Sequence, residues 1–112
     1  MIDIIADLSE LEIPTYIEGD APSSLPNEYF TINEDYTSDH VSADNEAKSI
    51  LYEFTLKYYT TDASKIYSGL LSAINLLKSK NYITSGVGYA NSTYRDKWFS
   101  RQADIKKIEY LT

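Results

Sequence analysis

The chain of 112 residues contains no cysteine. That absence removes disulfides, thiolate nucleophiles, zinc–thiolate sites and iron–sulfur clusters together. Histidine is almost as scarce: His40 stands alone, so no site that needs two imidazoles exists. Glycine is limited to four residues. The single G-x-G, Gly86-Val87-Gly88, lacks the third glycine and the following helix of a phosphate cradle, and reads instead as a twist or close backbone approach in a strand. No G-x-S-x-G elbow occurs. No apolar run approaches the roughly 20 residues of a membrane-spanning helix, so no membrane partner is expected. The opening stretch MIDIIADLSELEI carries no basic residue, which argues against a secretory signal with its positive n-region.

Basic residues are missing from a whole region of the chain. The first 47 residues hold twelve acids and no Lys or Arg, whereas residues 48–112 hold ten bases and five acids, for a net charge of −7. Such asymmetry says more than the total. One reading is a solubilising acidic surface with some internal pairing; the sharper one is a polarised subunit whose acidic face meets a neighbour's basic face.

What is present fits one globular domain over residues 1–112. Hydrophobic residues make up 43% and charged residues 24%, which places the chain among folded rather than disordered sequences. Ile4, Leu8 and Leu11 share one helical face over residues 2–12, with Asp3, Asp7 and Glu10 on another, and Pro14 stops the helix. Tyr16 and Ile17 suit a brief strand, and residues 18–27 a loop. Tyr29 to Tyr36 alternate as a strand. Residues 37–47 are polar and read as a long, flexible hairpin loop that a partner would order. Residues 49–60 alternate most clearly, with Ile50, Tyr52, Phe54, Leu56 and Tyr58 facing the core. Asp62 is placed to cap a helix over 63–80 with an apolar stripe of Ile66, Leu70, Ala73, Ile74 and Leu77, ended by Asn81 in a left-handed conformation. Strands follow at 82–89 and 98–111, the last needing a bulge near Lys106-Lys107 to keep Ile105, Ile108 and Tyr110 in phase. The predicted class is α+β: a mainly antiparallel sheet of four to five strands with two helices packed on it.

No constellation for chemistry emerges. His40 lies near Asp35, Asp39, Asp44 and Glu46, but the spacing is not that of a calcium loop. The carboxylates of residues 1–47 fall on surface-like faces, so neither catalytic residues, nor a metal, nor a cofactor is expected. Arg95, Lys97, Arg101, Lys106 and Lys107 interleave with Tyr94, Trp98 and Phe99, a mix that can bind single-stranded nucleic acid. The net negative charge favours a protein-facing strand. Eleven tyrosines suit both strand packing and an interface.

The layout taken whole is more specific. A short helix closes on Leu11-Glu12-Ile13-Pro14. A loop with Pro22 and Pro26 follows, then the strand Tyr29-Phe30-Thr31-Ile32, a polar loop with Asp44-Asn45, the long strand Tyr52 to Thr60, and the helix opened by Asp62. This order resembles the tail terminator, or tail completion, proteins of long-tailed bacteriophages of the siphophage type. The resemblance implies a virion protein assembled in the host cytoplasm, with no catalytic residues. It implies a ring of identical subunits, usually six, that caps the tail tube protein, ends tube polymerisation and docks to the head connector or stopper, with DNA passing unread through the lumen. Other neck or head-completion proteins, and small acidic inhibitors that mimic DNA, are the competing readings. For the subunit interface the charge pattern nominates Asp3, Asp7 and Glu10 on the acidic side, with Arg95, Lys97 and Arg101 on the basic side.

Overall fold

A computed structural model of the chain describes residues 3–41, 47–84, 88–90 and 98–110. Helix α1 spans Ile4–Leu8 and continues as a 3-10 turn over Ser9–Leu11. The Asp3 carboxylate caps it by accepting the Ala6 N–H at 3.1 Å. It ends where Glu12 takes the left-handed conformation (φ 57°), just ahead of Pro14. The expected helix over 2–12 is therefore α-helical for five residues only.

The strands are β1 (Thr15–Ile17), β2 (Glu28–Val41), β3 (Ala47–Thr60), β4 (Ile83–Thr84), β5 (Tyr89–Ala90) and β6 (Phe99–Tyr110), with helix α2 (Ile66–Ser79) between β3 and β4. They form one sheet in the order β1-β2-β3-β6-β4, with the two-residue β5 also pairing β6. All pairs are antiparallel except β1 with β2. Both helices lie on one face, so the class is α+β, as the residue pattern predicts.

The core forms between that face and α2. Phe30, Ile32, Phe54, Leu56, Tyr58, Ala103 and Ile105 meet Leu70, Ala73, Ile74 and Leu77, with Ile4 and Leu8 closing one end. The stripe foreseen on α2 is the buried one, apart from half-buried Ile66. Asp62 accepts the Ser64 N–H at 3.0 Å, capping a 3-10 turn (Ala63–Lys65) that leads into the helix. Asn81 takes the left-handed conformation at φ 71°.

Two expectations are corrected. Residues 37–41 are not loop: β2 continues through them, paired with β3 as far as Val41 opposite Ala47. The remaining residues of the expected loop, 42–46, lie outside the described residues. The cause is a bulge at Asp35, between the pairs Glu34–Phe54 and Tyr36–Glu53. The bulge shifts β2 by one residue and breaks its alternation. The Asp35 carboxylate accepts from the Asn33 amide (2.6 Å) and the Thr55 hydroxyl, which fixes the kink. Conversely, no bulge occurs in β6 near Lys106-Lys107. Its register against β3 is unbroken from Phe99 to Tyr110. Lys107 is tolerated on the helix face because its ammonium lies 4.5 Å over the Tyr82 ring and donates to the Lys80 carbonyl.

The resulting shape is elongated, 53 × 26 × 26 Å with a radius of gyration of 15.2 Å, against about 13 Å for a compact chain of this length. Strands of 14 residues reach roughly 46 Å, whereas α2 with its 14 residues covers only about 21 Å. The far parts of β2, β3 and β6 therefore project as a three-stranded arm beyond the helix layer.

Candidate assembly surfaces

Among the described residues no helix covers the sheet face turned away from α1 and α2, although Tyr29, Thr31 and Ser100 on it are buried. Side chains there follow from the register: Tyr29, Tyr59 and Ser100 at one end, then Thr31, Lys57 and Gln102, then Asn33, Thr55 and Asp104. Tyr29 and Tyr59 stack at 4.8 Å, Trp98 meets Tyr29 edge-on at 5.3 Å, and Tyr16 tilts against it at 5.9 Å. Tyr29 is buried within this four-ring cluster. The alternation of Tyr58 and Tyr59 requires one ring on each face. The gathering of Tyr16 and Trp98 around Tyr29 depends on the parallel pairing of β1, which nothing in the local pattern signals.

On the arm, Ile50, Leu51, Tyr52 and Ile108 are only half-buried and Tyr110 is 74% exposed. Tyr52 donates to Glu109 at 3.1 Å on the helix side, and Lys106 pairs with Glu53 at 3.4 Å on the other. Half-buried and exposed apolar groups thus lie on both faces of the arm, an arrangement that suits contact with another chain.

Strand order converts the charge asymmetry of the sequence into a lateral one. The β1–β2 side carries Glu18, Glu28, Glu34, Asp35 and Asp39; β6, across β3, carries Arg101, Lys106 and Lys107 with Asp104 and Glu109. Lys57 on β3 reaches Glu18 at 2.5 Å, and this carboxylate contact holds its ammonium pKa above the usual lysine value.

Three of the nominated interface acids have partners within the chain. Asp3 caps α1. Asp7 accepts the Tyr82 hydroxyl at 2.5 Å. Glu10 pairs with Lys80 at 2.6 Å, tying α1 to the end of α2. Arg101 lies 4.2 Å over the Tyr67 ring and donates to the Gly88 carbonyl at 2.9 Å. Arg95 and Lys97 lie outside the described residues. The nominated residues that are described thus sit at two separate places, and both places fasten α2 to its surroundings. Arg101→Ala should accordingly lower stability by about 1 kcal/mol, the worth of a partly shielded cation–ring contact. Urea denaturation reads this directly; an unmoved midpoint would mean that the guanidinium contributes nothing to the fold.

A cleft of about 250 Å³ is lined by the polar and charged residues Asn27, Glu28, Thr60, Thr61, Asp62 and Lys65, without the predominantly hydrophobic and aromatic side chains that line ligand pockets. Among the described residues no cluster of three or more metal-ligating side chains occurs, and no helix is long and apolar enough to cross a membrane. No protein-family model matches the sequence, and no curated protein is significantly similar to it.

Proposed function

We propose that this protein is a structural assembly subunit of the tail terminator type, acting as a homo-oligomeric ring of six copies. The ring caps the tail tube protein and ends its growth. It then presents the surface on which the head connector docks, with DNA passing through its lumen. The observation that carries the reading is the opposition of an acidic β1–β2 edge to a lysine- and arginine-bearing β6 across one sheet. A ring needs heterologous contacts, in which two different surfaces of one subunit meet. The arm adds apolar groups for a neighbour to bury. The element order and the α+β sheet agree with the layout on which the phage resemblance rests.

Light scattering coupled to size-exclusion chromatography, over a concentration series and with tail tubes added, tests the reading. The expected species has about six times the 12.7 kDa subunit mass and a central hole in electron micrographs. A subunit that stays monomeric throughout, and instead binds a basic protein with strong salt dependence, would assign it to the DNA-mimic class.

A further inference from the structure

Resting on the ring reading above, we propose that successive copies join by strand addition: the outer edge of β2 around Thr37–Asp39 in one copy pairs with the outer edge of β6 at Ile108–Tyr110 in the next.

The main chain defines both edges. The Phe30 N–H donates to the Pro14 carbonyl and the Glu18 N–H to the Ile32 carbonyl, so alternate residues of β2 turn their main-chain groups away from β3. The bulge at Asp35 moves that outward set to Thr37 and Asp39, opposite Tyr52 and Ile50. β1 reaches no further along β2 than Ile32. Among the described residues, no strand lies beside Thr37 and Asp39. On the other side of the sheet, β4 pairs with β6 at Ile105 and Lys106 and no further towards the C-terminus. The same alternation sends the main-chain groups of Ile108 and Tyr110 outward. Among the described residues neither edge has a partner strand at these positions, and each presents main-chain donors and acceptors suited to another strand.

Three features select β6 as the partner of β2. First, level: through β3, Ile108 lies in line with Ser38 and Tyr110 with His40. A sideways repeat of the subunit therefore brings the two segments together without a slide. Second, charge: the β2 segment 33–41 holds Glu34, Asp35 and Asp39 and no Lys or Arg, whereas β6 brings Lys106, 49% exposed, and Lys107 beside Glu109. Pairing β2 with a second β2 would set acids against acids alone, whereas β6 brings Lys106 and Lys107 alongside its Glu109. Third, taper: the sheet is three strands wide at the arm, and at the body it gains β1 on one side and β4 with β5 on the other. Copies joined along their arms are held apart at their bodies, which curves the array towards closure with the arms innermost.

The test uses two proline variants, Thr37→Pro and Ile108→Pro, each removing one outward N–H, with circular dichroism to confirm the fold. Each alone should need at least roughly tenfold more protein to assemble. Because each variant keeps one intact edge, mixing the two should yield a one-to-one dimer that does not grow. A wild-type ring whose assembly neither variant weakens would overturn strand pairing and leave the ring reading standing. A wild type that never assembles would overturn both. Where a proline variant fails to fold, Ser38→Cys with Ile108→Cys in one chain decides the matter, since these two positions are level and share a sheet face and the chain has no cysteine of its own. Oxidation should give a ladder of covalent oligomers from strands whose Cα atoms lie about 5 Å apart. Absence of that ladder from an assembled ring rejects the proposal.

Discussion

Replacing Gly69 with alanine should destabilise the protein by about 2–3 kcal/mol, although the change improves helix propensity by about 1 kcal/mol. A Cβ at this position would lie 2.1 Å from Tyr58 Cζ and 2.4 Å from both its Cε2 and its hydroxyl oxygen. Gly69 is the point where α2 comes down onto the sheet, and the tyrosine ring fills the space a side chain would take. A ring at the surface would swing aside. Tyr58 is fully buried, packs on Phe30 at 5.3 Å and donates its hydroxyl to Glu28 at 2.6 Å, so its tip is fixed on several sides. The helix has to lift instead, and lifting it uncovers Leu70, Ala73 and Ile74. Urea denaturation of Gly69→Ala, of Tyr58→Leu and of the double variant measures the coupling. The double variant should be more stable than the two single losses predict, because the smaller side chain makes room for the methyl. Strict additivity would place the cost elsewhere.

This contact marks where sequence reading stops. The stripe of α2 and the alternation of β3 are local periodicities, and they locate half of the core: Phe54, Leu56, Tyr58, Leu70, Ala73, Ile74 and Leu77 are all buried. Which glycine of the chain meets which ring is a relation between elements 11 residues apart in sequence but on opposite layers, and no local pattern encodes it. The same holds for Gly88 (φ 75°), whose missing Cβ would lie 2.6 Å from the Gln102 carbonyl oxygen. Its role as a close backbone approach is readable in advance, but its partner is not. The bulge at Asp35 misleads more directly. Once β2 slips by one residue, polar and apolar positions exchange faces, and a continuing strand looks like a loop. Among the described residues no helix covers the far part of the arm to impose a buried face, so composition ceases to report structure there.

The candidate surfaces show a related limit. Charge asymmetry is visible in the sequence, but its meaning depends on strand order. The acids of α1 look like a free face, yet Asp7 and Glu10 are drawn to Tyr82 and Lys80, residues more than 65 positions away. The acids that lie laterally opposite β6 are those of β1 and β2, which a reading by helical periodicity does not single out. Strand order places them on one side of the sheet, at an edge rather than on a helix face.

Alkaline pH should unfold this protein more steeply than its surface charge alone requires, and Tyr58 and Tyr82 are the reason. Burial pushes both phenol pKa values well above the ordinary tyrosine value. Hydrogen bonds to carboxylates, Glu28 for Tyr58 and Asp7 for Tyr82, raise them further, since a phenolate beside a carboxylate loses the bond and gains a repulsion. In the unfolded chain both groups ionise near pH 10. Above that pH the unfolded state has released protons that the native state retains, so the unfolded state binds fewer and stability falls as pH rises. The contribution is fully present below pH 10 and is lost on the way up to the folded pKa values, at up to about 1.4 kcal/mol per pH unit for each tyrosine. Lys57 and Lys80, whose pKa values are raised by Glu18 and Glu10, act in the same direction but remain partly exposed to solvent screening, so their part is small. Phenylalanine at either tyrosine separates the effects. Tyr82→Phe should cost about 1–2 kcal/mol at pH 8 through the lost charge-assisted hydrogen bond, then show a flatter decline between pH 10 and 11.5. Its stability curve should converge on that of the wild type as pH rises. Urea midpoints measured across that range decide the point: parallel curves would mean that the Tyr82 hydroxyl ionises as easily in the folded protein as in the unfolded chain, and that its contact with Asp7 adds nothing to the fold.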